Sequence, residues 1–179
     1  KKIFSLTEGA DGRIWIGTED EGLCVFDPST GQVHAVDYER MRSLRLLNTL
    51  GTMVDGDHLW IGFFKHGMGR LNMRTGEFVH YKASSFGIAE SSIYSFCKDS
   101  QGNFWIGSAQ GVYMRRFGEQ QFHQIDFLNT FWAFDIMEDS RGNICFASQG
   151  GGLCRYELST GDRAFTAHQD KQPTRRGSS

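Results

Sequence analysis

Long apolar runs are missing from this chain of 179 residues. No stretch of 18 apolar residues occurs, so no transmembrane helix is encoded within it. Charge imbalance is missing too. A net charge of −2 offers nothing to attract nucleic acid or an anionic membrane. The pairs Arg115-Arg116 and Arg175-Arg176 are too small for a nucleic-acid footprint. Catalytic signatures are equally scarce. The six His include no His-x-His or HExxH pair, no Ser sits in a G-x-S-x-G elbow, and there is no phosphate loop. We therefore expect no cofactor, no metal and no catalysis in this segment. Cysteine is sparse at four residues, which admit three pairings that sequence does not choose between. Buried free thiols are the expectation. Proline occurs twice against 22 glycines, a balance that suits many short strands joined by glycine turns.

What the chain does have is a phrase written four times. Around Trp15 it reads GRIWIGTEDEGLCVFDPSTGQV, around Trp60 DHLWIGFFKHGMGRLNMRTGEF, around Trp105 GNFWIGSAQGVYMRRFGEQQF and around Cys145 GNICFASQGGGLCRYELSTGDR. The anchors lie 45, 45 and 40 residues apart. A repeat of this period, built of short strands and tight turns, predicts an all-β fold, a β-propeller of four four-stranded antiparallel blades. In the first unit the strands are expected at Ile3–Leu6, Arg13–Gly17, Leu23–Phe26 and Gln32–Val36. The expected blades span residues 1–38, 46–82, 91–127 and 131–168.

The turns carry their own mechanism. Gly12, Gly102 and Gly142 should supply the positive φ of the first hairpin, and Gly31, Gly76 and Gly161 that of the third. In the WIG step, Trp15, Trp60 and Trp105 are expected to pack blade against blade. Gly17, Gly62 and Gly107 are expected where backbones approach closely. Cys145 replaces the indole in the fourth unit and should leave a smaller contact. Asp99 and Asp139 recur with the turns, so structure accounts for them. His34 and His123 fall at matching outer-strand positions and read as exposed decoration.

The motif D-x-x-G-N-x-W-I-G-S/T, followed by G-G-L and S-T-G, appears in Asp99–Ser108, Asp139–Tyr156 and Gly12–Gly31. It resembles the two-component-regulator propeller repeat, over about residues 1–168. That resemblance implies the extracytoplasmic sensor region of a hybrid two-component system. It further implies a periplasmic location, an inner-membrane anchor and a histidine kinase elsewhere in the protein, with oligosaccharides as ligands. Such propellers usually have seven blades, and four of seven form an open arc with exposed apolar end faces. The segment then belongs to a larger propeller, pairs with a second copy of the chain, or closes as a four-bladed ring. The start at Lys1, without Met or signal peptide, leads us to expect a piece of something longer. The polar tail 169–179 is expected to be a frayed end or a linker.

Ligands of a propeller meet the loops between second and third strands and the connections between units. Those loops are Thr18–Gly22, Phe63–Gly67, Ser108–Gly111 and Ser148–Gly151. Sugar recognition wants a ring for one pyranose face and planar polar groups for its hydroxyls. Glu19, Phe64, Lys65, His66, Gln110 and Gln149 are the candidates there. Trp132 joins them from the connections, because the repeat does not explain it. The connections also offer Arg42, Arg45, Asn48, Ser91, Ser92, Tyr94 and Asn129. Two other accounts compete: an interaction propeller without a small ligand, and a propeller enzyme, which would need clustered His, carboxylates or a metal at the channel mouth that the sequence does not show.

Overall fold

A computed structural model describes residues 2–89, 91–125 and 132–166. The expected tail 169–179, Asn129 and the last residues of the fourth blade lie outside these. Among the described residues sixteen strands form four sheets, each of four consecutive strands. The first blade holds β1 (Ile3–Glu8), β2 (Ile14–Thr18), β3 (Leu23–Asp27) and β4 (Gln32–Ala35). The second holds β5 (Thr49–Asp55), β6 (His58–Phe63), β7 (Met68–Asn72) and β8 (Phe78–Tyr81). The third holds β9 (Ile93–Lys98), β10 (Phe104–Ser108), β11 (Gly111–Arg115) and β12 (His123–Gln124). The fourth holds β13 (Trp132–Glu138), β14 (Asn143–Gln149), β15 (Gly152–Glu157) and β16 (Arg163–Thr166). Every pairing within a blade is antiparallel. The four-bladed architecture read from the repeat is the one the chain adopts.

The expected first-unit strands shift by a residue or two. β1 runs on to Glu8 because Glu8 still pairs with Ile14. The expected loops are tighter than their sequence suggested. Gln149 lies within β14 opposite Trp132, which leaves only Gly150 and Gly151 to turn. The turn glycines all have φ between 70° and 82°: 78° at Gly12, 82° at Gly102, 80° at Gly142, 70° at Gly31, and 75° at Gly76 and Gly161. Carboxylates lock the same turns. Asp139 is held below the ordinary carboxylate range by the Asn143 side chain, and Asp27 by the Ser29 hydroxyl.

Alternation along each strand sends one face to each neighbouring blade. Trp15 and Leu23 meet Leu59, Ile61, Leu71 and Phe78 between the first two blades. Between the second and third, Trp60 packs edge-on to Phe104 at 5.1 Å, beside Phe96, Ile106 and Tyr113. Trp105, fully buried, meets Phe146 and Ile144 between the third and fourth. The WIG tryptophans are thus the blade-to-blade contacts expected of them. Cys145, in the fourth unit, is only half-buried. All four thiols are free, with Cys24 and Cys154 buried. Cys97 and Cys145 are only partly so, short of full burial for all four.

The glycine partners are equally constrained. A Cβ at Gly62 would strike the Ile93 carbonyl, and one at Gly107 the Ala133 carbonyl and Ser95 Oγ. The connection from first to second blade contains a helix that the sequence reading lacked, α1 (Tyr38–Ser43). It forms because Met41 and the following Leu46 plug the interblade seam, each at most 1% exposed. Arg40 ties it to β8 through a hydrogen bond to the Phe78 carbonyl. Arg42 and Arg45 stay exposed at the surface. A 3₁₀ turn at Ala83–Phe86 plays the same part after the second blade, where Ala83 and Ile88 are buried.

Candidate functional site

The strand order puts one rim of the arc in view of a ligand. Each loop between second and third strands docks on the start of an inner strand. Glu19 N–H donates to the Lys2 carbonyl, Phe64 N–H to Asn48 and Ala109 N–H to Ser92. Gln149 pairs with Trp132 in the fourth blade. All seven sequence candidates therefore lie on this rim, but they do not form one cluster. Glu19, Phe64, Gln110 and Gln149 belong to four different blades. No hydrogen bond or ring contact joins them among the described residues. Glu19 is instead paired with Lys2 Nζ at 2.8 Å, and Gln110 accepts at its carbonyl from Gln124 Nε2. Phe64 is exposed, with Lys65 Nζ 5.0 Å from its ring centre. Phe63, next to it, is fully buried against Phe78 and is core.

Trp132 does acquire neighbours. It stacks on Tyr94 at 6.1 Å with the planes 20° apart. Phe134 stands edge-on to both, 5.1 Å from Tyr94 and 6.2 Å from Trp132. Trp132 and Phe134 remain 46% and 44% exposed, so this is an aromatic surface rather than core. Lys65 and His66 line a separate cleft beside the second blade, with Lys82, Ser84 and Ser91.

Sequence reasoning missed the feature that organises the inner wall. All four inner strands carry a β-bulge, and the extra residue is Phe4, Leu50, Tyr94 or Phe134 in turn. A bulge re-aims its side chain. These four line one cleft of about 450 Å³ where the inner strands converge, with Ser5, Thr52, Ser95 and Asp135 between them. The readable signal was a large residue followed by a small or polar one at the same point of every unit: Phe4-Ser5, Leu50-Gly51, Tyr94-Ser95 and Phe134-Asp135. The hydroxyls are partly spoken for. Thr52 Oγ1 donates to Ser5 Oγ at 3.0 Å and lies 2.8 Å from Thr7 Oγ1. The buried Ser95 hydroxyl has no hydrogen-bond partner among the described residues.

Nothing in this geometry resembles an activated nucleophile. Burial pushes the thiols of Cys97 and Cys154 up to about 11, which keeps them protonated near neutrality. Among the described residues no group of three His, Cys, Asp or Glu is arranged to hold a metal. What the arrangement can do is cover a flat apolar ligand face with rings and meet its edge with hydroxyls and one carboxylate.

Among curated proteins none matches this sequence. Solved structures share the fold at low identity. A protein described as the extracellular domain of a hybrid two component system of B. thetaiotaomicron superposes with a TM-score of 0.75 at 17% identity. The match covers 94% of this chain and 22% of that one. PorZ, a surface component of the type-IX secretion system of Porphyromonas gingivalis, gives 0.68 at 16% identity, with 94% and 28% covered. Virginiamycin B lyase from Staphylococcus aureus gives 0.67 at 13% identity, with 94% and 56% covered. The chain thus spans between about a fifth and just over half of these larger proteins. The two component regulator propeller family matches residues 1–20 and 87–110. Two segments, one opening the first blade and one spanning much of the third, thus match the two component regulator propeller repeat within a run of four antiparallel blades.

Proposed function

We propose that this chain is part of the extracytoplasmic ligand-sensing region of a hybrid two-component sensor kinase. In this reading it resides in the periplasm, on a protein anchored to the inner membrane. Its ligand is an oligosaccharide, and the kinase lies outside these residues. The observation that carries the reading is the pair of exposed rings, Trp132 and Phe134, packed on the half-buried Tyr94 beside the inner-strand cleft. Core rings do not remain nearly half exposed, whereas a pyranose needs such a platform and hydroxyl partners along its edge. The regulator-propeller repeat and the likeness to extracellular sensor domains support the same reading.

Binding would act between domains or protomers rather than inside a blade. The blades are closed by backbone ladders and packed cores, so rigid-body motion is the available response. The test is a melting curve against a panel of oligosaccharides. A sugar that binds only the folded state stabilises it by about 2.7 kcal/mol at a hundredfold excess over its dissociation constant. We expect one class of glycan to raise Tm in the native chain, and Trp132→Ala to abolish that rise without lowering the unliganded Tm by more than a few degrees. Absence of any shift, here and in the full-length protein, would leave an interaction propeller. The exposed apolar residues at both ends of the arc, Leu6 and Val33 on one and Met137 and Leu153 on the other, favour that second reading.

A further inference from the structure

We infer that the cleft beside the second blade binds an anionic group, a sulfate or a carboxylate carried by the sugar. The inference rests on the carbohydrate reading above and adds the charge that this part of the rim selects. The cleft measures about 360 Å³ and is lined by Lys65, His66, His80, Lys82, Ser84 and Ser91, over a floor that includes Ala83 and Ile88. Among the described residues no acidic side chain lines it, and neither ammonium is paired with a carboxylate. In a chain of net charge −2, two lysines around one hollow are a local excess of positive charge. Charge of one sign lining a concave surface concentrates counter-ions there.

The loop that presents this charge is built, not loose. Phe63 N–H donates to the Gly67 carbonyl, Phe64 N–H to Asn48, Gly67 N–H to Ser91 and Lys65 N–H to the buried Ser92 hydroxyl. Lys65 itself has φ of 60°, a conformation that costs a non-glycine residue and persists where the surroundings impose it. His80 Nε2 lies 2.6 Å from the His66 carbonyl. A carbonyl only accepts, so Nε2 carries the proton and the ring braces the loop from the outer strand. The repeat supplies an internal control. The same loop in the first blade holds Glu19, Asp20 and Glu21 at the positions of Phe64, Lys65 and His66. One scaffold position therefore carries opposite charge in adjacent blades, so the fold itself demands neither sign. Two lysines with two hydroxyls suit a multiply charged oxygen acceptor through charge-assisted hydrogen bonds.

The experiment is calorimetric titration of the chain with glucose, glucose 6-sulfate and glucuronate, repeated with the Lys65→Gln/Lys82→Gln variant. At least one charged sugar should bind about tenfold more tightly than glucose, the worth of one charge-assisted hydrogen bond. That preference should shrink as sodium chloride is raised and vanish in the double variant. Whichever charged sugar shows it tells sulfate from carboxylate. Equal affinity for charged and neutral sugars, or a preference that survives the double variant, overturns the inference and leaves the sensor reading standing. If no sugar binds, melting curves in sodium sulfate against sodium chloride of equal ionic strength decide. A sulfate-specific rise in Tm that the variant loses keeps the anion site and removes the carbohydrate. No such rise removes both. Should the double variant misfold, Lys82→Gln alone, at an exposed position, should lose part of the same preference, and an unchanged preference would count against the site.

Discussion

At the scale of single residues, the three indoles are not equivalent. Asp99 Oδ2 accepts from Trp105 Nε1 at 2.8 Å and from Asn103 Nδ2, while Oδ1 accepts from the backbone of Gln101 and Asn103. Asp139 builds the same cage around Asn143, but Cys145 stands where the indole would be. In the first blade the position of Asp99 is Gly9, and the buried Trp15 Nε1 has no partner. A buried donor left unpaired costs free energy, so the Asp99–Trp105 bond is the stronger anchor. We predict that Asp99→Ala destabilises the chain by about 3 kcal/mol in urea unfolding, since it strands Trp105 Nε1 and Asn103 together. Asp139→Ala should cost less, and a cost equal to that of Asp99→Ala would contradict this account. The recurrence of Asp99 and Asp139 with the turns was legible in the sequence. The indole bond was not, because the carboxylate sits in the turn and the ring six residues on, inside β10, and only the hairpin brings them together.

At the scale of elements, the hairpin glycines and the WIG glycines do different work. Gly76 has φ of 75° and open space around it, so alanine there meets only the backbone penalty, about 1 kcal/mol. Gly62 has ordinary backbone angles, but its Cα faces the Ile93 carbonyl of the next inner strand. Gly62→Ala must push two blades apart and should cost more, about 2–3 kcal/mol as overpacking. Chemical denaturation of the two variants in parallel would check the order, and a smaller loss for Gly62→Ala would show that the seam yields. This distinction could be read from the repeat, since WIG puts glycine beside the largest side chain. The inner-strand bulges could not. They change the pairing count by one residue per blade, and strand periodicity does not record a residue that drops out of register. Trp132 therefore stands out in the sequence, whereas Phe4, Leu50 and Phe134 look like ordinary strand residues. The α1 helix was hidden for a similar reason, being six residues long and held by burial of Met41 rather than by local propensity.

At the scale of the whole molecule, the two end blades differ in what they ask of a neighbour. The free face of the first blade includes Leu6, Ile14, Ile16 and Val33, which pair across adjacent strands in rows equivalent to those that receive a tryptophan in the second and third blades. The fourth blade offers Met137, Cys145 and Leu153, a shallower surface without an indole. Contiguous apolar faces of this kind associate. We predict concentration-dependent self-association of this segment in sedimentation equilibrium, weakened by Leu6→Lys. A chain that stays monomeric at high micromolar concentration would show that the faces tolerate solvent. The sequence announced the arc itself, because the repeat count is visible in it. It pointed to the rim but not to the spacing there, where the candidate side chains stand on separate blades and do not form one cluster.

Among the described residues each sheet is made of four successive strands, and none is lent to a neighbouring sheet. Blades therefore adhere mainly through side chains, helped by single rim bonds such as Gly67 N–H to the Ser91 carbonyl, with no shared backbone ladder to interrupt. Such an arrangement lets a whole unit be added or lost by duplication or deletion of about one repeat of sequence, leaving the remaining registers untouched. The number of blades is thus open to change without redesign of any sheet, while each new copy brings a fresh rim loop whose charge can drift on its own.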